Sequence, residues 1–465
     1  MVRRLLSSLA FVTVVSLTAC VQRSQEASAG AVSFARGGQL NMVYDIRQRP
    51  QAIYVNGKVY IVFASRKDEP PVGKKPATRP MLITYDPASR DFSDIITLGS
   101  GKGDHHYTPI IWADEDEYLH ILYGCHKTPG IHLVSKLPKE VSDSPEAWNK
   151  VAQIEGSMSY PSVFRIYDDK ELIYYRTAGH SSSWTYRISD DNGKTWSGPV
   201  EDVTDMDLKA WPEWSTYQSK LLSSDGRSLY VCFISYDDVK SNDPERLYNP
   251  KYKQPVSNEW KYNLYLIKID LKDFGVTNFS GQALVTPIDM DQANEKCRIW
   301  DTGWRGAGVP PAMKLDRSGN PAMLHVLSAD TLEKHHYYYV RYVDGKWKQT
   351  PITESNHQWN SCHIADGSDG ALHAYIITGE EYLNTEGLMD KHGGGRIEEW
   401  VSSDDGDSWE KVRDISPKGG KYAGWKFNNI QPIKRPDGSI IENMLLFYGW
   451  KDSVEPRGEA FLLHE

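Results

Sequence analysis

Short apolar-rich, strand-like segments alternate with Asp, Asn and Gly turns along the whole chain, and few windows show a helical period. This is the pattern of an all-β chain of strands joined by tight turns. One hairpin type repeats: IYVNGKVYIVFAS (53–65), TPIIWADEDEYLHILYG (108–124), PSVFRIYDDKELIYYR (161–176), SKLLSSDGRSLYVCF (219–233), PAMKLDRSGNPAMLHVL (311–327), SCHIADGSDGALHAYII (361–377) and IQPIKRPDGSIIENMLLFYG (430–449). Most copies carry Gly or paired acids at the tip, as tight hairpin turns require. Self-similarity at this spacing, with several short strands per unit, predicts an all-β, seven-bladed β-propeller, with six blades as the alternative. The late segment EAFLLHE (459–465) reads as a strand of the last blade, and Leu40–Ile46 as the early strand that closes the ring.

A second motif fixes the phase of the repeat. Ser189–Trp196 (SDDNGKTW) and Ser402–Trp409 (SSDDGDSW) fit the Asp-box pattern S-x-D-x-G-x-T/S-W. They resemble the turns between third and fourth blade strands in sialidase-like propellers, and they bear on fold alone. Between hairpins four and five lies a long polar and aromatic insertion, 237–262, followed by a strand-like run over 264–271.

The N-terminus departs from this pattern. Arg3 and Arg4 precede an apolar run, Leu5–Leu17, too short to span a bilayer, and then Leu17-Thr18-Ala19-Cys20. The expected organisation is a lipoprotein signal over residues 1–19, a polar tether over 20–33 beginning at a lipidated Cys20, and one catalytic propeller over 34–465. Val rather than Asp at position 21 favours the outer membrane of a Gram-negative bacterium, by resemblance to other lipoproteins. The net charge of −9, more negative still once Arg3 and Arg4 leave, comes without a basic run, so nucleic acid is not an expected partner. Five widely spaced cysteines do not make a disulfide scaffold. The 15 Trp and 27 Tyr suit sugar-stacking surfaces as well as sheet packing. Nothing points to oligomerisation, so a monomer is expected.

The candidate site follows from placing the hairpins in register. First-strand starts and second-strand ends meet at one rim of the ring. Blade two brings His106 and His126 there, blade three Tyr160 and Arg176, and blade four Tyr217; strand alternation would turn His105 to the other face. No carboxylate pair lies at this rim, which argues against ordinary glycoside hydrolysis, and the chain has no nucleophile elbow or phosphate loop. A His or Tyr base beside a guanidinium suits removal of a proton next to a carboxylate, followed by β-elimination. Arg66, Arg298, Trp300, Trp304 and Arg305 are candidate contacts for an anionic sugar chain. Cys297, His357, Cys362 and His363 are ligand types that suit a structural zinc, with no role in the chemistry.

The motifs GDHHYTP with YGCHKTPG, then SYPSVF with YYRTAGH, resemble those of ulvan lyases built on seven-bladed propellers, polysaccharide lyase family 25 and more distantly family 24. The resemblance covers most of the chain after the N-terminal segment. It implies that His106 and Tyr160 form the proton-transfer pair, that His126 and Arg176 neutralise a uronate carboxylate, and that Tyr217 lines the catalytic subsite. The implied substrate is ulvan, a sulfated rhamnose–uronate polymer. Which of His106 and Tyr160 acts as base stays open at this point. The rival expectations are an Asp-box sialidase, whose arginine element VFRIYD (163–168) faintly echoes, and a non-catalytic glycan-binding propeller.

Overall fold

The computed structural model describes residues 30–37, 42–65, 78–101, 105–141, 146, 148–151, 153–154, 156–179, 182–198, 201–207, 209–210, 213–236, 245, 247–256, 260–379, 393–451 and 458–465. The signal, Cys20 and Arg66 lie outside them.

Seven blades of antiparallel strands follow one another around a ring; a parallel contact, Ile53 opposite Lys434, joins blades seven and one into one nine-stranded sheet, and the short pair Tyr248–Asn249 and Gln254–Pro255 lies outside the blades. Each of the seven repeated hairpins supplies the two inner strands of one blade. Blade one runs Ala52–Val55, Lys58–Ser65, Arg79–Asp86 and then two short outer strands. Blade two runs Ile110–Ala113, Leu119–Tyr123, Ile131–Ser135 and Trp148–Lys150, and blade three Met158–Arg165, Glu171–Thr177 and Trp184–Ser189. Blade four is Thr216–Leu222, Ser228–Tyr236, Lys261–Asp270 and Val276–Asn278. Blades five and six begin at Ala312–Leu315 and Cys362–Asp366. Blade seven is Trp425–Lys434, Ile440–Lys451 and Gly458–His464, completed by Ala31–Gly37.

That last pairing closes the ring. The first and last described strands of the chain lie side by side, Val32 opposite Leu462 and Gly37 opposite Gly458. The closing strand therefore begins at Ala31, inside the stretch read as tether, and is not Leu40–Ile46. Closure hides the edge that an open sheet would expose.

Adjacent blades bury apolar faces against each other. Ile53, Tyr60 and Leu82 of blade one meet Ile111, Ile121 and Leu133 of blade two. Ile110 and Leu122 of blade two meet Val163 and Ile173 of blade three on the other face. The same layering continues through blades three to five, five and six, six and seven, and seven and one. Strands buried on both faces explain why the inner strands read as almost continuous apolar runs.

Both Asp-boxes are structural. In the first, Ser189 Oγ accepts from the Gly193 N–H (2.8 Å), Asp191 accepts from the Thr195 N–H (2.8 Å), and Trp196 Nε1 donates to the Gly193 carbonyl (3.2 Å). The second repeats these bonds at Ser402, Gly406, Asp404, Ser408 and Trp409. Arg165, the echo of a sialidase arginine, pairs with Asp169 (2.6 Å) at the tip of blade three, the far end of that hairpin from Tyr160 and Arg176.

The segment read as the closing strand has a different job. Residues 42–50 cross the centre of the ring. Tyr44 donates to the Asn429 carbonyl of blade seven (2.8 Å), and the Asp45 N–H donates to Thr108 Oγ1 (3.3 Å). The Arg49 N–H donates to the Pro161 carbonyl, and the Arg49 carbonyl accepts from Val163 (both 3.2 Å). This strap touches blades seven, two and three, and it delivers polar side chains to the middle of the molecule.

Candidate active site

The five residues expected at the rim come together. The His106 and His126 rings stack with centroids 4.3 Å apart and planes 12° from parallel. Tyr160 stands edge-on to His106 at 5.5 Å, and its hydroxyl lies 3.3 Å from that of Tyr217. The Arg176 guanidinium lies 4.6 Å from the Tyr160 ring centre and 5.0 Å from that of Tyr217.

Local backbone explains this convergence. His106 is not at a strand start: His105–Tyr107 is a single 3-10 turn before Ile110–Ala113. The turn places His105 beside His106, with ring centroids 3.8 Å apart, so strand alternation does not separate them. After Tyr123 the chain leaves blade two, and His126–Thr128 pairs along the inner edge of blade three, His126 opposite Ser159. Tyr160 then sits in a bulge between Ser159 and Ser162 with a left-handed backbone, φ 55°. A residue before proline is normally extended, so this conformation is doubly unfavourable, costing on the order of 1–3 kcal/mol. It persists because pairing on both sides fixes the strand, and it aims the phenol at the histidines.

The strap adds residues that register counting does not reach. Arg47 lies 4.6 Å over the Tyr160 ring and donates to the Tyr217 hydroxyl at 3.4 Å. Asp45 clamps Arg47 with oxygens 2.6 and 2.8 Å from its nitrogens. Gln48 donates to the His106 carbonyl at 2.5 Å and so holds the turn. From blade four, buried Lys261 places its ammonium 5.3 Å from the Tyr217 ring centre and 4.5 Å from that of Trp359. The dense polar run YDIRQRPQ (44–51) was the signal available in the sequence, because a closing strand has no use for so many polar groups.

Charge at the site is ordered by these contacts. Burial alone would raise the Asp45 carboxyl, but Arg47 outweighs it and holds the acid well below the usual carboxylate range. Burial drives the Tyr160 phenol well above its ordinary value, while Arg47 and Arg176 pull the other way. The phenol is therefore a proton carrier at neutral pH, in a positive field ready for the anion it becomes after donating. Arg176 has no exposed surface, whereas the Arg47 side chain keeps 10%. The charge of Arg176 therefore acts on the site from beneath the two tyrosines.

The other expected residues scatter. Arg298 pairs with Asp301 (3.2 Å), and Arg305 donates to the Tyr338 hydroxyl (3.2 Å) while lying 5.4 Å over Trp300. These three belong to the junction of blades four and five. Trp304 is 39% exposed, its ring set edge-on against Tyr262 at 5.2 Å.

The zinc set is not gathered. Cys362 and His363 are neighbours on one strand, so their side chains leave by opposite faces. Cys362 donates to the Leu324 carbonyl (3.3 Å) and His363 stacks on Tyr375. His357 Nδ1 accepts from the Trp359 N–H (3.0 Å), and Cys297 belongs to a turn of blade four. Burial pushes the Cys297 and Cys362 thiols up to about 12, away from the thiolate a metal needs. Among the described residues, one group of His, Cys, Asp or Glu has ligand atoms within 4.8 Å of one another: Asp45, His105 and His106. Its carboxylate is committed to Arg47.

Residues 54–355 match the model of the BNR repeat-containing family. The chain belongs to that family. It is 25% identical to an ulvan lyase of Alteromonas sp. (strain LOR), over 95% of this chain and 93% of that one. It is 23% identical to an ulvan lyase of Nonlabens ulvanivorans, over 88% and 85%. Among solved structures, a family 25 ulvan lyase bound to -[GlcA(1-4)Rha3S]- superposes with a TM-score of 0.70 at 19% identity, covering 94% of this chain and 96% of that one. That likeness bears on the fold.

Proposed function

We propose that this propeller is a polysaccharide lyase that cleaves ulvan by β-elimination at a 4-linked uronic acid next to sulfated rhamnose, leaving an unsaturated uronate end. The observation that carries the reading is the cluster of His106, His126 and Tyr160 between two guanidiniums, with Asp45, the carboxylate the described residues place against it, tied to Arg47. Among the described residues this site has no acid pair for hydrolysis. It does have the groups elimination requires: a base, an acid and positive charge where the carboxylate gains density.

In this mechanism His106 removes the C5 proton and Tyr160, kept protonated by burial, delivers its proton to the departing O4. Electron density from the broken C5–H bond forms the C4=C5 double bond, and the C4–O4 bond breaks toward the protonated leaving group. His126 and Arg47 face the carboxylate, and Arg176 and Lys261 sustain the positive field around Tyr160 and Tyr217. Trp304 and Arg298 offer contacts to more distant sugars. The same reading places the enzyme at the outer membrane on a lipidated Cys20, acting as a monomer.

Elimination creates a conjugated uronate that absorbs in the ultraviolet; hydrolysis and binding do not. Purified protein mixed with ulvan should show a steady rise in absorbance. Retained binding to ulvan with no absorbance change would overturn the lyase assignment and leave a glycan-binding propeller.

A further inference from the structure

The catalytic cluster uses one end of the central channel. Beyond the strap, the channel is a cavity of about 1080 Å³, walled by the first strands of the blades and ending among the hairpin tips. Arg49 enters it from the strap, Lys220 from blade four, His363 from blade six and Lys434 from blade seven.

Among the described residues Arg49, Lys220 and Lys434 have no ion-pair partner, and His363 is the neutral member of the set. Arg49 Nε donates to the Ile46 carbonyl (3.2 Å), and Lys220 lies 4.9 Å over the Trp184 ring. Lys314, also on the wall, pairs with Asp366 (3.0 Å), but among the described residues no carboxylate comes within ion-pair distance of Arg49, Lys220 or Lys434. His363 is buried, and its Nε2 has no hydrogen-bond partner. The groups are close enough to repel. Burial and then Arg49 bring Lys220 down to about 7 and Lys434 to about 8. Burial, Arg49 and Lys434 hold His363 near 3. Secluded like charges without counter-charge are costly, and the cost is relieved by an anion with acceptors on several sides.

We propose that the central channel binds a free tetrahedral oxyanion of the sulfate class, held between Arg49 and Lys434 with Lys220 and His363 alongside. The guanidinium supplies a fork of donors and the ammoniums supply point charges, the combination that suits a tetrahedral anion. The far mouth favours a free ion over a sulfate ester on a chain. Asp169, Asp225, Asp369 and Asp437 stand at the hairpin tips, where a polyanion would meet repulsion along its length and a single ion only on entry. This site does not depend on the lyase reading.

Isothermal titration of the whole protein with sodium sulfate, in buffer free of sulfate and phosphate, tests it. Sodium chloride at matched ionic strength and a rhamnose-3-sulfate oligosaccharide are the comparison ligands. The expected result is one sulfate per chain and no heat from chloride. Lys434→Met and Lys220→Gln should each weaken sulfate binding by about tenfold or more, and Lys434→Arg should retain most of it. Lys434→Met should also melt no lower than the parent without sulfate, since a repelled charge has gone. Equal sulfate affinity in parent and both variants would overturn the site. So would Lys434-dependent binding of the oligosaccharide without binding of the free ion.

Discussion

Tyr160→Phe removes one oxygen from the centre of the cluster and little else. The ring keeps its place between Arg47 and Arg176, each 4.6 Å from its centre, and its edge-on contact with His106. The lost bond is the 3.3 Å contact between the two hydroxyls, worth about 1 kcal/mol. For a chain this long that moves the melting temperature by less than about 4 °C. The effect on turnover should be far larger. On the proposed mechanism, losing the group that protonates O4 removes general acid catalysis of roughly 10²–10⁴-fold, or about 3–5 kcal/mol of barrier. The assay is the initial rate of absorbance increase on ulvan at saturating substrate, alongside thermal unfolding of the same preparation. His106→Ala should fall by a similar factor at the other half of the proton transfer. A Tyr160→Phe enzyme within about tenfold of the parent rate, with unfolding unchanged, would refute the acid role.

Further outcomes follow from the charges. Asp45→Asn leaves Arg47 without its counter-ion inside the protein and should lower stability at neutral pH by about 3–5 kcal/mol in denaturant unfolding. Because Asp45 is depressed in the folded state, its contribution is complete above the unfolded value near 4 and is lost as pH falls through the folded one. The gap between parent and Asp45→Asn should therefore close on acidification below about pH 4. Lys434 titrates at about 8 when folded and at about 10.4 when unfolded, so the unfolded chain binds the proton more tightly. Its penalty is full below pH 8 and fades toward about pH 10, so the melting advantage of Lys434→Met should shrink over that range. Trp304→Ala should raise KM on long ulvan chains severalfold with kcat nearly unchanged, the pattern of a contact made equally in ground and transition states.

The blades were legible because each hairpin declares itself locally. Apolar inner strands and acid or glycine tips such as Asp225-Gly226 and Asp437-Gly438 need nothing from the rest of the chain. The five rim residues were legible for a related reason: counting outward from the tips gives a common end for all hairpins. Counting fails where the backbone leaves the ladder. His105 joins His106 through a 3-10 turn, and His126 reaches Tyr160 by crossing to the next sheet. Lys261 arrives after a long insertion, at the head of the third strand of blade four. None of these moves leaves a periodic trace, because each is decided by contacts between residues far apart in sequence.

The strap is the clearest case, and it links the two halves of the channel. Its residues were read as a strand because an extended segment near the N-terminus was needed to close the ring. Ala31–Gly37 meets that need, which frees residues 42–50 to cross the centre. Arg47 and Arg49 lie two positions apart on it, yet they serve different environments. Arg47 is neutralised by Asp45 and turned to the tyrosines, so its charge is fixed and oriented toward a substrate. Among the described residues Arg49 has no acid within ion-pair distance, and it lines the same cavity as Lys434 and Lys220. The intervening Gln48 holds the His106 carbonyl, so an anion bound at Arg49, as proposed, would sit on the same strap as the support of the histidine turn. Sulfate and the catalytic cluster would then share one support, and weakening Arg49 would be felt at His106.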